Sequence, residues 1–201
     1  MNMKSMMITL AVLFFAFNAF AIQDPDPDTI GMYFDLDANI VCWNTAGPFE
    51  AVTAYLIATN LSVDSGVSGW EAYIQLSGDA PLAANWSLIG LDVDPSPEGF
   101  QVGIGVILPI EPLPATVLAT WTGFIGDPSD QISFHISGIP GSASFPDSPG
   151  YAAGDNAGDL RPLRVSAGSG LGFTAAMINA VECQVVANED LTFSRVKALY
   201  R

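Results

Sequence analysis

The chain has 201 residues, half of them hydrophobic and only 13% charged, a composition that excludes a disordered polymer and supplies the core of about one domain. Its formal charge is −15, and no lysine or arginine occurs between residues 22 and 160. Neutralising phosphates requires basic residues, so nucleic-acid binding is excluded and attachment to an anionic membrane surface is disfavoured.

In chain order the first element is a leader. Lys4 is the only charge in the first 21 residues; an apolar stretch, 6–17, follows it, and Ala19-Phe20-Ala21 closes the segment. A basic start, a short apolar middle and an A-x-A ending predict a secretory signal peptide over 1–21, cleaved after Ala21. The apolar run is shorter than the roughly 20 residues a bilayer span needs. The later apolar stretch 102–118 is broken by Glu111 and by Pro109, Pro112 and Pro114, so no transmembrane segment is expected in the mature chain. The expected product is secreted, to the extracellular space, the cell surface or the periplasm. Loss of Lys4 with the leader takes the charge from −15 to −16, which favours solubility and mutual repulsion.

The body, 22–187, has a period of two. Residues 70–77 (WEAYIQLS) and 131–137 (QISFHIS) alternate core-like with solvent-like residues, and 101–106 places Val102, Ile104 and Val106 on one face with Gly103 and Gly105 on the other. Such alternation predicts half-buried strands with one wet face. Further strands are expected at 30–36, 39–43, 51–60, 86–91, 116–124, 163–166, 173–178 and 183–186, separated by Gly, Pro, Asp and Asn clusters such as 92–99 and 126–128. Many short strands with regular turn signals predict an all-β, antiparallel β-sandwich rather than a parallel α/β sheet. The final segment, 188–201, reads as a short amphipathic helix, with Asp190 or Thr192 as its cap and Arg195, Lys197 and Arg201 suited to the negative end of its dipole. It is expected either to dock on the sandwich or to serve as a terminal tag for export or surface retention.

Two resemblances follow from particular residues. The succession Gly66-Val67-Ser68-Gly69-Trp70-Glu71-Ala72-Tyr73-Ile74-Gln75-Leu76, together with 116–124 (TVLATWTGF) and 131–134 (QISF), resembles cohesin-like secreted bacterial modules over roughly residues 51 to 137. The resemblance implies a jelly-roll-like sandwich used for binding or assembly, and no partner-contact residue transfers with it. The ending T-F-x-x-V-K-x-L-Y-R, Thr192 to Arg201, resembles those of secreted proteins from little-studied bacteria.

The chemistry-bearing residues are few. Cys42 and Cys183 are the only cysteines, and in an oxidising compartment an even count predicts a disulfide, which requires early and late strands to be neighbours. His135 is the only histidine, and it lies on the polar face of its strand. A Ser–His–Asp triad would have to use it, no G-x-S-x-G elbow is present, and a His-rich zinc site cannot be built. Paired carboxylates for glycoside chemistry are permitted by 21 acidic residues, but no pair stands out. The expectation is therefore a non-enzyme without an organic cofactor. For calcium, the oxygen-rich, glycine-bent turn carrying Asp155, Asn156 and Asp159 comes first, ahead of Asp92, Asp94 and Glu98, although it lacks EF-hand spacing. Tyr73 and Trp86 are the candidate rings for stacking on a ligand, whereas Trp70 and Trp121 have core-side parity. The functional expectation is a secreted, non-catalytic binding or assembly module, for adhesion or structure, that takes an extracellular protein or glycan or a second copy of itself. A carbohydrate-binding module is the runner-up, and a glycoside-active enzyme comes third.

Overall fold

The structure is a computed structural model, and the residues it describes are 26–94, 96, 98–110, 115–145, 148–166 and 174–181. The predicted leader, the 183–186 strand and the 188–201 helix or tag lie outside the described residues. Thirteen strands follow one another among those described: β1 (Thr29–Tyr33), β2 (Cys42–Trp43), β3 (Glu50–Thr59), β4 (Val67–Gly78), β5 (Ala83–Leu88), β6 (Leu91–Asp92), β7 (Gly99–Leu108), β8 (Ala115–Ile125), β9 (Ile132–Ser137), β10 (Gly150–Ala153), β11 (Leu160–Pro162), β12 (Arg164–Val165) and β13 (Thr174–Ile178).

They form two sheets. One has the order β12-β1-β3-β8-β5; the other runs β11-β10-β4-β9-β13-β2, with β7 also paired to β4 and β6 to β7. The period of two decides which side chains lie between them. In β4, Trp70, Ala72 and Ile74 are buried, while Gln75 and Ser77 on the other face are exposed. Aromatic rings join the sheets across this core. Trp121 of β8 meets Phe134 of β9 edge-on at 5.0 Å, and Trp86 of β5 meets Phe100 of β7 at 5.2 Å. Such edge contacts add about 0.5–1.5 kcal/mol each beyond the area they bury. The molecule is an all-β sandwich.

The structure corrects three details. The sheets are mixed rather than purely antiparallel, because β1 runs parallel to β12 and β2 parallel to β13. These strands come from distant parts of the chain, so no tight hairpin imposes an antiparallel direction on them. Two strands, β10 and β11, fall where the small or polar residues Gly150, Ala152, Ala153 and Arg161 hide the alternation. Finally, Val106 does not share the buried face of Val102. The β4–β7 register shifts between Gly69↔Gly103 and Val67↔Leu108, so the intervening part of β7 leaves the ladder, and Val106 is 82% exposed.

Candidate groove on the outer face of the second sheet

Register places five residues in one cross-strand row. Leu160 lies opposite Ala152, Ala152 opposite Gly69, Gly69 opposite Gly103, and Gly103 opposite Leu91, from β11 through β10, β4 and β7 to β6. Directly opposed residues share a face of a sheet. The middle of the row therefore has almost no side chains, while the leucines at its ends are exposed, Leu160 by 44% and Leu91 by 72%. The result is a groove of about 280 Å³ with Gly69, Gly103 and Ala152 in its floor and Val93, Phe145 and Leu160 in its walls. A methyl group added at Gly103 would meet nothing within 4 Å, so the floor there is open space.

The adjacent row supplies the polar end. Pro162, Gly150, Glu71 and Gln101 are opposed in sequence across β11, β10, β4 and β7, and Val93 N donates to Gln101 O at 2.9 Å. Glu71 is only 6% exposed. Ser142 Oγ donates to Glu71 Oε1 at 2.5 Å, and Gln101 Nε2 donates to Oε2 at 3.4 Å. The same Ser142 Oγ accepts from Ser144 N and Phe145 N, so Glu71 anchors the 139–145 loop on the sheet. Phe145 then lies on Gly150, where an added Cβ would come within 2.5 Å of its ring. A buried carboxylate satisfied in this way fixes the groove's wall rather than floating beneath it.

The residues singled out in the sequence are not gathered at this groove. Tyr73 of β4 and Trp86 of β5 stand on different sheets, and Trp86 is turned toward Phe100 and the core, so the two do not form one stacking platform. Tyr73 donates its phenolic proton to Glu98, and that bond raises its pKa above the ordinary value. In the β10–β11 turn, Asp159 takes Arg161 Nε and a terminal guanidinium nitrogen on its two oxygens, at 2.9 Å each, which lowers its pKa. Asn156 Oδ1 accepts from Gly158 N at 3.1 Å, and Asp155 belongs to the same turn. A calcium ion held there would displace the guanidinium from Asp159. The two aspartates of the 92–99 loop serve backbone amides: Asp92 Oδ1 accepts from Asp94 N and from Gln101 N of β7, and Asp94 Oδ1 accepts from Ser96 N.

Ser77 Oγ and His135 Nε2 lie 2.6 Å apart, a nucleophile–base spacing. They stand on an exposed stretch of β4 and β9, and among the described residues no carboxylate bonds to the ring. Cys42, in β2, is half-buried and opposite Met177 of β13, the strand that leads toward Cys183; Cys183 itself lies outside the described residues. Trp70 and Trp121 are core residues. Among the described residues no helix is long and apolar enough to cross a membrane.

Sequence reasoning missed the groove because its burial is non-local. Glu71 sits at a solvent-facing position of a regular strand, and what covers it is a loop about seventy positions later. The available signal was the glycine pair, Gly69 and Gly103, at outward positions of two strands.

No protein-family model matches the chain, and no curated protein matches it in sequence. Among solved structures, the chain resembles a type II cohesin domain from the cellulosome of Acetivibrio cellulolyticus, at 12% identity and a TM-score of 0.46, over 80% of this chain and 99% of that one.

Proposed function

We propose that this chain is a secreted, non-catalytic binding and assembly module, and that the glycine-floored groove is the surface by which it takes its partner. The observation that carries the reading is the cross-strand row in which exposed Leu91 and Leu160 flank Gly103, Gly69 and Ala152. Removing side chains from the middle of a sheet face while leaving apolar ones at its ends makes a slot for an inserted segment. Its walls are apolar, its polar end is Glu71 and Gln101, and the aromatic residues that line it, Trp70, Phe145 and Tyr151, are all buried. That lining suits an extended polypeptide carrying apolar side chains better than a sugar ring, which needs an exposed aromatic face.

The test starts from the chain expressed with its leader and recovered after export, whose mature N-terminus should be Ile22. Binding is then compared on peptide and glycan arrays for this protein and for Gly103→Trp, whose Cβ meets nothing within 4 Å and whose ring would occupy the floor. Peptide binding that weakens at least tenfold in the variant, at unchanged melting temperature, supports the reading. Peptide binding indifferent to Gly103→Trp removes the groove from it. Glycan binding that the variant abolishes keeps the groove and replaces the polypeptide partner with a carbohydrate.

A further inference from the structure

The edges of the two sheets are unequal. Four edge strands, β2, β6, β11 and β12, have two or three residues, and two of these carry Arg161, Pro162 or Arg164. Short length, charge and proline are the usual means by which a sheet edge is kept from pairing with another chain. The remaining end of the described sheet orders, β5, has none of them; β7 also runs past the two residues that β6 covers, but there it leaves its ladder at a register shift. Strand β5 is six residues long, Ala-Ala-Asn-Trp-Ser-Leu, pairs with β8 in unbroken register, and has no strand on its other side among the described residues. Antiparallel geometry turns the amide and carbonyl of every second residue of such a strand away from its one partner.

Charge and apolar surface make this edge self-complementary. In a chain of formal charge −15, two copies repel over most of their surfaces, yet residues 80–91 contain no charge at all. Exposed Leu82 precedes β5 and exposed Ile89 follows it, while exposed Phe124 lies opposite Ala83. When two such strands pair antiparallel about a twofold axis, residues of equal parity oppose each other: in the register centred on Trp86, Asn85 of each copy comes opposite Ser87 of its mate, and exposed Leu82 and Ile89 flank the two ends of the seam.

We propose that β5 is a self-association edge through which two copies of this chain join β5 to β5, antiparallel, fusing their five-stranded sheets into one continuous sheet. The inference specifies the assembly half of the proposed function and does not depend on the groove, which lies on the other sheet. A six-residue strand pair is a small contact beside the roughly 1,200–2,000 Å² of standard interfaces, so the dimer exchanges with monomer as concentration changes.

Sedimentation velocity of the full exported chain over about a hundredfold concentration range reads this, paired with amide hydrogen exchange at the two extremes. The expected result is a rise from one to two chain masses, with new protection confined to Ala83–Leu88. Asn85→Lys combined with Ser87→Lys places like charges on the edge at exposed positions and should leave a monomer throughout, at unchanged melting temperature. Gly103→Trp should dimerise normally. A wild-type monomer at every concentration overturns the proposal, as does dimerisation of the double lysine variant. Dimerisation lost in Gly103→Trp, with protection at Leu91–Asp92 rather than at β5, would transfer assembly to the groove and leave the groove reading standing.

Discussion

Tyr151 donates its phenolic proton to Asp28 Oδ1 at 2.7 Å, joining a fully buried ring of β10 to the residue that precedes β1 in the opposite sheet. Asp28 also receives Ser62 N on its carboxylate and Arg164 N on its carbonyl. It adopts a positive φ of 53°, a conformation that few residues other than glycine take readily.

This bond predicts an alkaline transition. Burial, and then the hydrogen bond to Asp28, push the Tyr151 pKa up to about 12 from the ordinary value of 10.0. The folded state therefore holds the proton more tightly than the unfolded state. The stabilisation is fully present below pH 10 and is lost as the pH rises toward 12. Melting temperature measured across that window should fall, and Tyr151→Phe should flatten the part of the fall that this residue causes. A variant with the same slope as the wild type would assign the transition to other groups.

Two glycines should answer the same substitution in opposite ways. At Gly123 an added methyl would lie 2.0 Å from the Trp121 indole, which rests directly on the glycine. Gly123→Ala should cost about 1–3 kcal/mol by overpacking, whereas Gly103→Ala, with nothing within 4 Å, should change stability by less than ~0.5 kcal/mol. Urea midpoints at equal m-values check both, and equal effects would contradict the packing described for β8.

Thr116 is 5% exposed, and its hydroxyl has no hydrogen-bond partner among the described residues. Thr116→Val removes a desolvated polar group while keeping the branched shape, so it should raise stability by about 1 kcal/mol. A loss of stability on chemical denaturation would mean that the hydroxyl is bonded after all.

We expect Cys42 and Cys183 to be joined, since β2 lies beside β13 and Cys42 opposite Met177, six positions before Cys183. Alkylation with intact-mass readout should find no reactive thiol before reductant and two after it. A bridge closing so long a loop should be worth on the order of 4–5 kcal/mol in the chain-entropy model, seen as a large drop in melting temperature on reduction. Two thiols alkylated without reductant would exclude it.

What can be read from the sequence is what depends on neighbours two residues away. Trp70, Ala72 and Ile74 declare an inner face because polar residues alternate with them, and Trp121 follows the same logic in β8. The sandwich is legible on those grounds. What depends on distant chain segments is hidden. Glu71 reads as a wet-face carboxylate until the Ser142 loop covers it, and Gly150-Tyr151-Ala152-Ala153 becomes a strand only because β4 and β11 offer it edges. Likewise, Asp159 belongs to an oxygen-rich turn in sequence but spends its carboxylate on Arg161 in space.

The two parallel seams, β1 with β12 and β2 with β13, each stitch together opposite ends of the described chain. Neither seam can form early in folding, because the long intervening segment must be brought round first at a cost in chain entropy. Contacts of such high sequence separation place a domain among the slower folders, on a scale of milliseconds to seconds. Until β13 is in place, β9 and β2 both present bare edges to their surroundings. The interval before those seams close is therefore when this chain is most exposed to mispairing and proteolysis, and a product truncated before Thr174 would remain in that state.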